Sequence, residues 1–226
     1  MTRFDGWLTQ AQMIEVDRVM IDDLGIGLIQ MMENAGRHLA QLAIDRFAPT
    51  RAVIAAGSGG NGGGGMVAAR HLANRGVDVV LAPTRPGEEL SGVPARQRRI
   101  LDAMGIPVVE RWGPVDLIVD AVIGYSLQGA PTGTSRSLID AINASDAPVL
   151  SLDTPSGLDV TTGHAPGAVV AATATLTLAA PKVGLAEAAE VGDLHVADIS
   201  VPPRVLLELG AVVPDFSSSP IVAISR

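Results

Sequence analysis

The sequence predicts an α/β fold, a doubly wound and mostly parallel sheet with helices on both faces and two further helices at the N-terminus. Three observations carry that prediction. Short runs of Val, Ile, Leu and Ala alternate with amphipathic stretches along most of the 226 residues. The first such run, 52–56, is apolar at every position, as a strand buried on both faces of a parallel sheet must be. Seven of the 25 glycines then fall within the nine positions 57–65, where that strand would turn into a helix.

The elements follow in order. Thr9 has the side chain of an N-cap, and Met13, Val16, Met20 and Leu24 recur at helical spacing until Gly25 stops the pattern. Leu28, Met31, Met32, Ala35, Leu39, Leu42 and Ala43 share one broad face of a second helix that ends before Pro49. Both helices are expected to cover the sheet. After the strand at 52–56 and the glycine loop come a helix at 66–74, a strand at 77–82, a helix at 94–104 and a short strand near Val108. A strand at 117–122, a helix at 137–144 and strands at 149–153, 173–179 and 194–199 complete the alternation. No internal repeat, charge run or Pro/Gly/Ser-rich linker divides the chain. A single domain over 1–213 is therefore expected, with 214–226, which contains Ser217-Ser218-Ser219-Pro220, as a disordered tail.

Composition excludes several function classes. A hydrophobic share of 47%, a mean hydropathy of +0.34 and 18% charged residues are globular. Sixteen basic against 24 acidic side chains give a net charge of -8, and aromatic residues make up 3%, so neither nucleic acid nor an anionic membrane is an expected partner. With no cysteine, thiolate metal sites and thiol catalysis are excluded. Arg3 is followed by Asp5, Gln10, Gln12 and Glu15 with no signal-like apolar stretch, and no run of about 18 apolar residues occurs, so a cytoplasmic protein is expected. His38, His71, His164 and His195 show no metal-ligand spacing and are read as structural.

Three loops at the carboxyl edge of the sheet carry the candidate chemistry. In the first, Gly57 to Gly65, bare backbone amides at a helix N-terminus could receive phosphate without net positive charge. Gly57, Gly59 and Gly62 satisfy G-x-G-x-x-G, but the strand at 77–82 runs into Pro83-Thr84-Arg85 where a ribose-binding acid should stand, which disfavours a dehydrogenase. In the second loop Asp120 ends an apolar strand before the Gly-rich turn Gly124 to Gly129. In the third, Asp153 ends a strand before Thr154-Pro155-Ser156. Asn61, Asp120, Asp153 and Ser156 together offer hard oxygen donors, which suit an alkali or alkaline-earth cation and not zinc. Lys182 is the only lysine in the chain. Glu33-Asn34, a polar pair in a Met-rich helix, is expected to reach either the site or a second subunit.

Taken with Leu8-Thr9-Gln10-Ala11-Gln12-Met13, Met32-Glu33-Asn34-Ala35-Gly36-Arg37, Met66 to Leu72 and Val196-Ala197-Asp198-Ile199, these loops resemble the YjeF N-terminal domain family, the NAD(P)H-hydrate epimerases. The resemblance covers nearly the whole chain and implies a Rossmann-like fold. It implies an enzyme that interconverts the R and S forms of hydrated NADH and NADPH, so that an S-specific dehydratase on another chain can repair them. By the same resemblance, Gly60, Asn61, Gly62, Gly63 and Gly64, with Gly124, Tyr125, Ser126, Leu127, Gln128, Gly129 and Ala130, would contact the hydrated dinucleotide. Asp153 would sit at the reacting ring, and Asn61, Asp120 and Ser156 would coordinate potassium.

The chemistry itself asks for an acid to protonate a departing hydroxyl, or to open the ring, and a base to take a proton from the returning water. Asp153 is the expected acid/base, with Lys182 either orienting it or binding phosphate. The family usually reads Asn-Asn-Gly-Gly-Asp-Gly where this chain reads Gly60-Asn61-Gly62-Gly63-Gly64-Gly65. Two readings stay open at this point: an epimerase with altered affinity, or a member that binds a dinucleotide-like ligand or serves as an interaction scaffold without turnover. No fused dehydratase domain is expected in this length, and dimerisation through the N-terminal helices is left open.

Overall fold

Thr9 caps the first helix as its position predicts. In the computed structural model, which describes residues 6–85 and 90–225, the Gln12 N–H donates to Thr9 Oγ1 at 3.3 Å and the Thr9 N–H to Gln12 Oε1 at 2.8 Å. This reciprocal pair occupies two N–H groups at the start of α1 (Gln10–Arg18). Arg3 and Asp5, which enter the signal-peptide reading, lie outside the described residues. The helix widens into a π turn over Val19–Asp23, and α2 (Leu28–Phe47) ends on left-handed Ala48, just before Pro49.

The apolar runs become β1 (Arg51–Ala56), β2 (Asp78–Pro83), β3 (Leu117–Ala121), β4 (Val149–Leu152), β5 (Ala174–Leu178) and β6 (Asp193–Ala197). Between them run α3 (Gly60–Ala73), α4 (Gly92–Ala103) and α5 (Gly133–Asn143), while α6 (Pro203–Glu208) and β7 (Ile221–Ala223) follow β6. One sheet results, in the order β2-β1-β3-β4-β5-β6-β7, parallel throughout except for β7. The chain leaves β1 toward β2 and then crosses to β3 on the other side, so the switch point that makes a crevice lies between the carboxyl ends of β1 and β3. The strand expected near Val108 is reduced to a single bridge with Leu81.

Strand alternation divides the core. Ile54 and Leu81 face α2, α3 and α4, against Leu39, Met66, Leu72 and Leu101. Val53, Ala55 and Ile118 face Leu138, Ile139 and Ile142 of α5 on the opposite side. Helix α2 covers the sheet as expected, but α1 does not. Met13, Val16 and Met20 instead pack with Leu8, Ala179, Ile199 and Leu206 beyond the ends of β5 and β6. That position sets α1 beside the strand ends where the candidate residues converge.

The tail also departs from expectation. Rather than forming a disordered end, Ile221–Ala223 pairs antiparallel with β6, and the Asp198 N–H donates to the Pro220 carbonyl at 2.9 Å. An otherwise open strand edge offers unpaired backbone groups, and the tail occupies them. Among the described residues no helix is long and apolar enough to cross a membrane.

Candidate active site

The glycine segment is the largest local surprise. Helix α3 begins at Gly60, six residues before the expected start, so most of the glycines are helical and not a loop. Close approach explains them. A Cβ on Gly57 would lie 2.0 Å from the Val122 carbonyl oxygen, and one on Gly62 would lie 1.9 Å from the carbonyl oxygen of Gly57. No side chain fits at either position, because the turn out of β1 is pressed against the end of β3. The first intrahelical bond runs from the Gly63 N–H to the Gly59 carbonyl, which leaves the N–H groups of Gly60, Asn61 and Gly62 outside the helical ladder. Gly60 is exposed at this N-terminus, whereas Gly62 and Gly63 are buried.

Asp120 sits at the end of β3 with no exposed surface. Its carboxylate accepts from the Ser156 hydroxyl at 2.5 Å, the Ser156 N–H at 2.8 Å, the Ser151 hydroxyl at 2.8 Å and the Val122 N–H at 3.2 Å. All four donors are neutral, so none compensates the charge. Burial therefore holds this carboxyl above the usual range, against the opposing pull of the Ser156 and Ser151 contacts. The Asn61 amide lies against Gly124, and its buried Nδ2 has no hydrogen-bond partner. Asn61, Asp120 and Ser156 thus gather at the switch point, rich in oxygen donors. Among the described residues no trio of His, Asp and Glu side chains offers a transition-metal site.

Asp153 follows β4 in the left-handed region, at φ 68°, an uncommon conformation for a residue with a side chain. It is 2% exposed. The carboxylate accepts from Lys182 Nζ at 2.6 Å, the Tyr125 N–H at 3.2 Å and the Leu178 N–H at 3.3 Å. Lys182 is fully buried and also donates to Thr177 Oγ1 at 2.8 Å and the Leu178 carbonyl at 2.7 Å. All three ammonium protons are placed, one of them on Asp153. Of the two roles left open for Lys182, these contacts match the orientation of Asp153.

A cavity of about 280 Å³ opens over these residues, bounded by Met13, Met31, Met32, Gly60, Asn61, Gly64, Gly124, Tyr125, Ser126, Leu152 and Asp153. Leu127, Gln128, Gly129 and Ala130 do not line it and continue outward as a largely exposed loop. Gly62, Gly63 and Asp120 lie behind its wall, as does Ser156. One further carboxyl lines the cavity: Asp17 of α1, which accepts a short hydrogen bond from the Tyr125 hydroxyl. The signal for it was present in the sequence. Met13, Val16, Asp17 and Met20 follow the i, i+3, i+4, i+7 pattern, so an acid occupies a position of the buried face.

Glu33 and Asn34 do not enter the cavity. Glu33 pairs with Arg70 at 2.5 Å and His71 at 2.8 Å on α3, and Asn34 donates to Ser200 at 2.8 Å. This places His71 in a helix-to-helix contact.

Comparison with known proteins identifies the family of this chain. The family model of the YjeF-related protein N-terminus matches residues 28–184. An NAD(P)H-hydrate epimerase of Dehalogenimonas lykanthroporepellens is 44% identical over 213 residues, which cover 90% of this chain and 85% of that protein. An NAD(P)H-hydrate epimerase of Pirellula staleyi is 35% identical, covering 87% of this chain and 93% of the relative. The bifunctional NAD(P)H-hydrate repair enzyme Nnr of Hyperthermus butylicus is 39% identical over 86% of this chain, which spans 39% of that longer protein. The crystal structure of yeast ynu0, YNL200c, superposes with a TM-score of 0.85 at 23% identity, covering 96% of this chain and 99% of that one, and shows the same fold. From the glycine turn, the buried Asp153–Lys182 pair and these matches together, the chain belongs to the YjeF-related protein N-terminus family.

Proposed function

We propose that this protein is an NAD(P)H-hydrate epimerase, an isomerase that interconverts the R and S forms of hydrated NADH or NADPH. The observation that carries the reading is the Asp153 carboxylate on the cavity wall, with Lys182 Nζ at 2.6 Å behind it. Epimerisation at a hydroxyl-bearing ring carbon beside an electron-rich nitrogen needs a proton given to the departing oxygen and a proton taken from the returning water. A carboxylate held by a buried ammonium is placed to take that proton. A cavity of about 280 Å³ lies at the low end of ligand pockets, so it accepts the modified ring and not a whole dinucleotide. The rest of the substrate would lie across the α3 N-terminus and the exposed loop from Ser126 to Ala130.

Two features bear on cofactor and partner. Asn61, Asp120 and Ser156 fit a potassium ion: they are hard oxygen donors around a buried carboxylate that, among the described residues, is bonded to no cationic side chain. When bound, potassium would supply a positive charge there and fix the loops that carry Asp153 and Tyr125. The relatives named as bifunctional NAD(P)H-hydrate repair enzymes support a second repair activity beside epimerisation, with an S-specific dehydratase as the proposed functional partner. With glycine at 60 and 64 the Asp153–Lys182 pair still stands on the cavity wall, which supports turnover over ligand binding alone. The test is mixing of a purified R hydrate with and without the protein. Acceleration that Asp153→Asn abolishes supports the reading; thermal stabilisation by the hydrate without acceleration overturns it.

A further inference from the structure

Asp17 has no part in the machinery derived so far, yet it shares the cavity with Asp153. One residue spans the two carboxyls. The backbone N–H of Tyr125 donates to Asp153 Oδ2 at 3.2 Å, while its hydroxyl, at the far end of the residue, donates to Asp17 Oδ2. The acids are thus bonded to opposite ends of one tyrosine and line the same cavity. Their surroundings differ: Asp153 has the ammonium of Lys182, whereas Asp17 has a phenol and apolar neighbours including Met13 and Leu28. Arg18, next in sequence, is turned away to Glu15 and Asp23 on the exposed side of α1.

We propose that Asp17 is a second catalytic acid/base, opposite Asp153, and that Tyr125 positions it. The proposal rests on the epimerase reading and deepens it. Inversion requires proton transfer on both faces of one carbon, a task that inverting glycosidases meet with two separated carboxyls. In one direction the Asp17 carboxyl gives its proton to the ring hydroxyl as the C–O bond breaks, and the ring nitrogen lone pair closes to a C=N⁺ bond. The oxygen leaves as water. A water on the opposite face then forms the new C–O bond, its proton passes to Asp153, and the electron pair returns to nitrogen. Exchange with solvent resets both carboxyls, and the reverse direction exchanges their roles. No oxidant or reductant is required.

The electrostatics agree in direction. Burial pushes the Asp17 carboxyl up, opposed by the Tyr125 hydrogen bond; the charge of Asp153 raises it further and that of Lys182 lowers it. These are the titratable and charged groups that face it. Burial and the neighbouring Asp17 also push the Tyr125 phenol up, so it remains a donor.

The experiment follows conversion of purified R hydrate, with an S-specific dehydratase as the coupling enzyme, across pH 5–9, for wild type, Asp17→Asn, Asp17→Glu and Tyr125→Phe. Asp17→Asn is expected to lower kcat about 100-fold or more with KM within a few-fold, and Asp17→Glu to recover part of the rate. The wild-type rate falls at alkaline pH as the acid loses its proton, and Asp17→Asn loses that limb. Tyr125→Phe removes a hydrogen bond that favours the carboxylate, so its alkaline limb moves to higher pH, a shift that a merely structural contact would not produce. A kcat for Asp17→Asn within threefold of wild type, or an alkaline limb unmoved in Tyr125→Phe, overturns the proposal. Should Asp17→Asn fail to fold, the limb of Tyr125→Phe decides. A wild type that does not accelerate mixing overturns the epimerase reading itself, which separates the two failures.

Discussion

Replacing Lys182 by methionine tests whether the buried ion pair holds the strand ends together. Methionine keeps most of the stem's volume and removes the charge and the donors. In the native protein the ammonium is fully buried and donates to Asp153, Thr177 and the Leu178 carbonyl at 2.6, 2.8 and 2.7 Å. Breaking a buried pair by removing one partner costs about 3–5 kcal/mol, because the remaining charge is left uncompensated. For a domain of this size each kcal/mol moves the melting midpoint by roughly 2–4 °C, so Lys182→Met is expected to melt about 6–20 °C lower. Urea unfolding at pH 7 followed by circular dichroism measures the free energy directly. The double variant Lys182→Met/Asp153→Asn is expected to recover much of the loss, since a neutral amide needs no cation. A loss below about 1 kcal/mol, the range of exposed pairs, or a double variant no more stable than the single, would refute the reasoning.

Three further outcomes are expected. Gly62→Ala is expected to lose about 3 kcal/mol or more in urea unfolding, since its Cβ would meet the Gly57 carbonyl oxygen at 1.9 Å, whereas Gly60→Ala, with no atom within 4 Å, stays within about 1 kcal/mol of wild type; equal effects would refute the packing argument. Potassium at about 100 times its dissociation constant is expected to add about 2.7 kcal/mol to stability relative to choline at equal ionic strength, and Asp120→Asn to abolish the difference; a calorimetric scan that does not separate the two salts contradicts the site. For Asp17, a folded-state pKa raised above the unfolded value gives a contribution that is fully present below the unfolded value, near 3.9, and is lost as pH rises through the raised one. Asp17→Asn, neutral throughout, is therefore expected to be more stable than wild type at pH 8 and to lose that advantage near pH 4; a constant difference across this range would refute the assigned burial cost.

Which parts of this were legible in the sequence follows from how local each signal is. Periodicity and composition placed the parallel strands and the helices between them, because a strand covered on both faces carries a run of apolar residues, as 52–56 of β1 and 117–119 of β3 do. Thr9 with Gln12, and Pro49 after α2, placed helix ends through contacts a few residues apart. Asp120 and Asp153 were legible as polar residues at apolar strand ends, which a folded chain keeps only where something answers the charge, and Lys182 as the only lysine in the chain. The role of the glycines was not legible. Their number signalled a turn, but that Gly57 and Gly62 exist to let β1 and α3 touch the end of β3 depends on the Val122 carbonyl, some 60 positions away. Spacing marks Asp17 as a carboxyl on an apolar helix face, but that placement acquires a chemical meaning only once α1 leaves the sheet and meets Tyr125. Sequence alone determined the fold class and offered Asp120 and Asp153 as candidate carboxylates, because both rest on local pattern and residue type. Tertiary structure decided which of those residues share one cavity, which are packing, and that the tail closes the sheet edge, because these depend on contacts between segments far apart in the chain.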